Sequence, residues 1–386
     1  MKDMLENNRA PSREVVEPLD RCLSCLSCMT TCPSDVHYMH LVDHARAYIE
    51  EHYQRPLRDR ALRGLLAFVL PHPGRFRLAL TLARAFKPLV PLFRRLGLPG
   101  SFIAMLDLAP ACALQDAQAE ETLPGVARRG RAILLRGCAE SVLQPAIRAA
   151  ARRVLRREGY DVAVVRGEAC CGSLVHHMGR EAEAVAAARR NIDAWTTEME
   201  KGDIVGIVST AAGCGTTLKN YGFLLRNDSA YGRKAAAVSA LARDISELLE
   251  VTSIRRSPAA AAITVAYHSA CSLQHGQKIH DGPMRLLAAA GFVTARIPEG
   301  HLCCGSAGVY NILQPDIAGR LLSRKAAHIE GLAPDIVAAG NIGCIVQLSQ
   351  AVGRPVVHTI ELLDWAAGGP IPDACRTLPQ FATPSE

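Results

Sequence analysis

Cys22, Cys25, Cys28 and Cys32 stand in the spacing C-x2-C-x2-C-x3-C, with Pro33 directly after them. That is the run by which thiolates hold a [4Fe–4S] cluster. Pro33 stops the loop from continuing as a helix. A zinc knuckle is the plainer alternative, but zinc sites usually come as two C-x2-C pairs separated by a longer loop. A disulfide pair is plainer still. Where two clusters share such runs, the fourth cysteine serves the other cluster. On that rule Cys22, Cys25 and Cys28 hold one cube and Cys32 reaches toward a second, yet the chain has no second run of the same kind.

A second arrangement lies downstream. Cys138 is followed by Cys170-Cys171-Gly172 and then by Cys214. The same order returns as Cys271, Cys303-Cys304-Gly305 and Cys344, displaced by 133, 133, 133 and 130 residues. A near-constant offset over four positions is an internal duplication. Adjacent residues of a strand point to opposite faces. The glycine after each pair permits a tight turn that swings both thiols to one side. Four thiolates per copy suffice for an iron–sulfur cluster or a zinc ion, and spacing does not choose between them. Buried thiol packing is the plainer reading, weakened by the register of the two copies. Cys112 and Cys375 fit no motif and read as ordinary thiols.

Histidines lie near both arrangements. His176 and His177 follow the first pair, and His268 and His301 flank the second. They read either as partners of cluster sulfurs, or an extra ligand, or as solvent-facing and capping residues. His37, His40 and His44 read as surface or cluster-edge packing, because thiolates already fill the first motif. No glycine triad opens a helix after a strand, so no dinucleotide fingerprint is present. No Ser–His–Asp pattern stands out, and no catalytic residue is assigned. The chain looks equipped to move electrons, with substrate chemistry done elsewhere.

The elements that position these cysteines follow from periodicity. Apolar spacing predicts a helix over 36–52 after the first motif. Residues 56–100 read as a helical linker broken by prolines. Between Arg55 and Arg95 it holds ten Lys or Arg and one acid, Asp59, with Leu78, Leu82, Ala85, Leu89 and Leu92 recurring every three or four residues. That basic amphipathic pattern suits either an anionic membrane face or packing on the rest of the protein. Residues 109–130 read as a polar boundary. From 131, short strands alternate with helices, the pattern of parallel βαβ units. Each cysteine falls just past a strand's carboxyl end, where open α/β sheets bind ligands, so Cys138, Cys170, Cys171 and Cys214 should converge. Residues after Pro370 are expected to be loose.

The 386 residues suffice for two or three domains. The charged N-terminus has no apolar h-region, so no secretory signal is expected. In a cytosolic chain, fourteen clustered cysteines argue for metal over disulfides. No apolar run reaches the ~18 residues of a membrane span. The net charge is +7. Aromatics for base stacking are sparse, so nucleic acid is not expected as a partner.

Taken together, the first cysteine run, the basic linker and two Cys-Cys-Gly units resemble the iron–sulfur subunit of glycolate oxidase, over nearly the whole chain. The resemblance rests on Asp20-Arg21-Cys22-Leu23-Ser24-Cys25, Asn191-Ile192-Asp193-Ala194-Trp195, Ala212-Gly213-Cys214-Gly215, Leu273-Gln274-His275 and the segment from His301 through Cys303-Cys304-Gly305 to Gly308. The cysteine-rich units alone are similar to those of heterodisulfide reductase and anaerobic glycerol-3-phosphate dehydrogenase subunits. In heterodisulfide reductase they end in a C-x2-C pair, whereas Cys214 and Cys344 stand alone, which puts a noncubane cluster of that type in doubt.

The resemblance implies a multidomain α+β and α/β chain. A partial, helical ferredoxin-type [4Fe–4S] segment would occupy 1–55 and a basic helical linker 56–130. Duplicated α/β cysteine-rich domains would span 131–255 and 256–386. It implies electron transfer from a flavoprotein (FAD) subunit oxidising glycolate to glyoxylate, through [4Fe–4S] clusters, toward a membrane quinone. The expected location is the cytoplasm, peripheral on the inner face of the cell membrane. Cys22, Cys25, Cys28 and Cys32 fall on the family's second ferredoxin motif, and Met1–Leu5 looks like the middle of the helix joining two such motifs. A start that lacks the first motif is therefore expected. Other substrates, lactate or glycerol 3-phosphate, and a zinc- or thiol-based assembly module are the alternatives.

Overall fold

The computed structural model describes residues 1–109, 129–163, 165–250, 254 and 256–381. Cys112, most of the stretch expected as a polar boundary, and the expected junction at 255 lie outside the described residues.

Among the described residues, eight strands form two parallel sheets. β1 (Gly130–Leu134), β2 (Tyr160–Ala163), β3 (Ile204–Ser209) and β4 (Ala242–Asp244) pair in the order β2-β1-β3-β4. β5 (Thr264–His268), β6 (Val293–Arg296), β7 (Ile336–Ala339) and β8 (Val356–His358) pair as β6-β5-β7-β8. The second sheet repeats the first strand for strand, as the cysteine offset requires. Helices connect successive strands, as parallel pairing demands. In each sheet the second strand lies on one side of the first and the third on the other, so the direction of winding reverses there. That is where a crevice opens at the carboxyl edge. β4 was not read from the sequence, because its three residues offer too short an apolar pattern.

The lobes share a core. Side chains alternate along β1: Ala132 and Leu134 join the large cluster that contains Val265, Ile336 and Ile360, while Ile133 and Leu135 face Trp195 and Ile207. The helix Pro145–Arg157 packs on Thr359–Ala366. Asp364, 1 % exposed at its side chain, accepts from Arg153 and Arg157 across this junction. His358 Nε2 lies 2.7 Å from the Thr210 carbonyl.

The N-terminal residues fold as helices. Arg13–Asp20 and Tyr38–His52 bracket the first cysteine run, and Met4, Val16, Ala45 and Ile49 form their small core. The linker helices Leu57–Val69 and Pro73–Phe86 have one buried and one exposed face. Their inner face buries Leu66 among residues of both lobes, and Phe76 and Leu80 against the first. Their outer face, continuing through Val90–Arg95, leaves Leu78, Leu82, Phe86, Leu89 and Leu92 exposed. The basic patch is smaller than its residue count suggests. Arg55 and Arg63 are nearly buried and pair with Asp20 and Asp59.

The expected loose tail is a correction. Cys375 and Phe381 are buried, and the Phe381 ring packs tilted on Trp365 with ring centroids 4.5 Å apart. Apolar burial outweighs the tendency of a chain end to fray, as far as Phe381.

Candidate functional site

In the first lobe, Cys138 follows β1, Cys170 and Cys171 follow β2, and Cys214 is the third residue of the helix Ala212–Lys219 after β3. Three neighbouring strands thus deliver four thiols to one edge of the sheet. In the second lobe Cys271, Cys303, Cys304 and Cys344 occupy the matching places, with Cys344 the third residue of Ile342–Leu348. The first turn of a helix favours a thiolate.

The glycines make the turn that the sequence suggested. Gly172 has φ +86° and Gly305 φ +91°, both left-handed. A Cβ on Gly305 would stand 2.6 Å from the Ala318 carbonyl oxygen, and one on Gly172 3.1 Å from that of Ala184. The helices Glu181–Met199 in the first lobe and Pro315–Gly331 in the second therefore pack directly on the turn, most tightly at Gly305.

The sulfurs crowd together. Cys138 Sγ and Cys170 Sγ are 3.2 Å apart, and Cys271 Sγ and Cys303 Sγ 3.9 Å apart. All described cysteines are free thiols. Within each group the protons are unevenly shared. Hydrogen bonds from Cys138 and Cys171 pull the Cys170 thiol down, and Cys271 and Cys304 do the same for Cys303. Their donors, Cys138 and Cys271, are pushed up. Cys344 falls to about 5 through its hydrogen bonds with Cys304 and His268. Thiolates crowded and buried in this way suit a positive charge held among them.

The lobes differ in their surroundings. His268 clusters with Cys304 and Cys344, their ligand atoms within 4.8 Å of one another, and its buried Nε2 has no hydrogen-bond partner. The matching place in the first lobe, three residues before Cys138, is Leu135. Lys325 is 2 % exposed, close enough for its charge to act on Cys303 and Cys304, and donates to the Glu299 carbonyl at 2.7 Å. Its counterpart at the same offset is Ile192. In the first lobe a polar network steadies the thiol loop instead. Asn191 accepts from Ala169 N at 2.6 Å and donates to the Cys170 carbonyl at 3.1 Å. Tyr221 donates to the Cys171 carbonyl at 2.8 Å. Glu168 accepts from Arg136 N and from Trp195, tying the Cys138 loop to the Cys170 loop. Asn191 and Trp195 entered the sequence reading only as marks of resemblance, since a buried network has no periodic signature.

The first cysteine run docks on the second lobe. Ser24 (φ +51°) and Leu26 (φ +62°) are left-handed and wind the loop tightly. Cys25 packs against the core that contains Cys271, Cys303, Cys304 and Cys344; burial pushes its thiol up, Cys303 adds to this, and Cys25 in turn raises Cys271. Arg46, from the helix Tyr38–His52, donates to Ser24 Oγ and to the Cys22 carbonyl. Thr30 Oγ1 meets His275 Nδ1 at 2.7 Å. His275 sits in a π-helical turn, Ser272–Gly276, directly after Cys271. Cys32 stands apart, its thiol held down by the backbone N–H groups of Val36 and Ser34.

The flagged histidines divide. His268 joins the second thiol group. His301 is exposed. His176 and His177 turn to Asp43 instead of sulfur. His40 stacks on Phe223 and hydrogen-bonds Asn220 at 2.9 Å.

Fold and site together define a protein of two cysteine-rich α/β lobes with a third cysteine loop docked on the second. The family model described as "Cysteine-rich domain" matches residues 133–219 and 265–349. The "Glycolate oxidase iron-sulfur subunit" of Escherichia coli K12 is 36 % identical over 366 residues, covering 95 % of this chain and 86 % of that protein. The "Probable glycolate oxidase iron-sulfur subunit" of Bacillus subtilis is 27 % identical with the same coverage of each chain. "Lactate utilization protein A" of Bacillus licheniformis is 26 % identical over 59 % of this chain and 96 % of its own length. The chain belongs to the family of glycolate oxidase iron–sulfur subunits.

Proposed function

We propose that this chain is the electron-transfer subunit of a glycolate-oxidising complex. It takes electrons from a flavoprotein partner that converts glycolate to glyoxylate and passes them toward a membrane quinone. The observation that carries this reading is the docking of the Cys25 loop on the buried thiols Cys271 and Cys303. Cys22, Cys25, Cys28 and Cys32 would serve [4Fe–4S] clusters. Cys138, Cys170, Cys171 and Cys214 would hold an iron–sulfur cluster or zinc in one lobe, and Cys271, Cys303, Cys304 and Cys344 in the other. A bound iron–sulfur cluster supplies one-electron acceptance and release without moving a bond of the substrate. The chain's own residues hold the thiols in place, exclude water from them and set the local charge. Lys325 makes the second lobe the more electropositive, which favours an added electron there.

The exposed stripe Leu78, Leu82, Phe86, Leu89 and Leu92, with arginines between, supports peripheral contact with an anionic membrane surface. No helix among the described residues is long and apolar enough to cross a membrane.

The test uses the chain assembled with its flavoprotein partner. Replacing Cys22 and Cys25 by Ser should abolish glycolate-dependent reduction of a quinone analogue while dye-linked glycolate oxidation persists. Full quinone reduction in that variant would overturn the relay. Zinc without acid-labile sulfide, and no EPR signal on reduction, would favour an assembly module instead.

A further inference from the structure

Away from the thiol groups, Asp43, His176 and His177 converge from two elements. Asp43 lies in the helix Tyr38–His52 and the histidines close the helix Ser173–His177. Their ligand atoms all lie within 4.8 Å of one another. His176 Nδ1 is 3.7 Å from Asp43 Oδ2 and His177 Nδ1 3.5 Å from Asp43 Oδ1.

These separations are too long for good hydrogen bonds. His177 Nδ1 is buried and has no hydrogen-bond partner. A buried polar atom left in that state is costly. The separations do suit donors that share an ion. Bonds of ~2.0–2.1 Å to a tetrahedral zinc place neighbouring donors roughly 3.3–3.4 Å apart. Asp43 is 8 % exposed, and a carboxylate is not left buried without a positive partner. Arg46, whose charge reaches Asp43, makes its hydrogen bonds to Ser24 and the carbonyls of Leu19 and Cys22.

We propose that Asp43, His176 and His177 form a divalent metal site of zinc type, separate from every cysteine group. Three protein donors leave one position open, beside a cavity lined by Ser24, Thr216 and Thr217. The site joins the helix that follows the first cysteine run to the helix that directly follows Cys170-Cys171-Gly172. Its role is to clamp those two segments together. It does not depend on which group the thiols hold.

The test uses the full chain with its native metal complement, dialysed against a chelator and then titrated with Zn²⁺ alone. Wild type should take up one equivalent that Asp43→Asn and His177→Gln lose, or bind at least 10-fold more weakly. X-ray absorption at the zinc edge should show only nitrogen and oxygen around that equivalent. Equal uptake by wild type and both variants overturns the proposal, as does sulfur around the differing equivalent. If His177→Gln also loses iron, His176→Gln decides. Zinc lost with iron retained supports the site, and zinc retained overturns it.

Discussion

The Tyr310 hydroxyl donates to the Arg21 carbonyl at 2.9 Å. Arg21 precedes Cys22, and Tyr310 lies six residues beyond Cys304, so one hydrogen bond fastens the first cysteine loop to the second lobe. Tyr310→Phe keeps the packing and removes that bond, at a cost of about 1 kcal/mol. Amide hydrogen exchange around residues 21–28 should then quicken roughly 5-fold, with the two sheets unaffected. Unchanged protection in the loop would show that the hydrogen bond does not hold it.

Asp364 should matter more than any surface ion pair. Its side chain is 1 % exposed and takes both Arg153 and Arg157 at 2.6 Å. Asp364→Ala strands two partly buried guanidinium groups at the junction of the lobes, which should cost about 3–5 kcal/mol. Denaturant unfolding of the metal-loaded chain measures it. A loss below ~1 kcal/mol would place the pair among ordinary exposed bridges.

Glu361 gives the junction a pH dependence. Burial pushes its carboxyl up to about 7 from an ordinary 4.5. Between those values the folded chain keeps a proton that the unfolded chain has released. The contribution is therefore fully present below pH 4.5 and lost as pH rises through 7. His358, three residues earlier, has the opposite sign. Burial lowers it to about 4 from 6.5, so its contribution is present above 6.5 and lost as pH falls toward 4. Glu361→Gln can still accept from His358 N. It should gain on wild type by on the order of 3 kcal/mol between pH 4.5 and 8. Parallel stability curves for the two proteins would refute this.

The two Cys-Cys-Gly turns should respond unequally to the same change. Gly305→Ala forces a Cβ to 2.6 Å from a backbone oxygen, while Gly172→Ala meets one at 3.1 Å. Both also place alanine at left-handed φ, worth about 1–2 kcal/mol. Gly305→Ala should therefore empty its lobe of metal, and Gly172→Ala should weaken binding about 10-fold. Metal content per chain distinguishes them, and equal effects would mean that the helix after Gly305 shifts freely.

The sequence by itself determined the local grammar. The 133-residue offset of Cys138, Cys170 and Cys171 announced two copies of one unit, and both sheets have the same strand order. Glycine after each cysteine pair announced the turn, because a left-handed residue carries its own chemical signature. The linker's two faces were legible from a spacing of three and four residues. Only the tertiary structure decided what meets across the chain. That Cys25 packs beside Cys303, that Asp43 faces His176 and His177, and that Phe381 closes over Trp365 depend on contacts between residues far apart in sequence. Such contacts follow from how whole faces pack, and no periodicity or spacing records them. The same holds for His268 and Lys325, which set the second lobe apart from the first. They sit at positions where the duplication alone would lead one to expect the Leu135 and Ile192 of its twin.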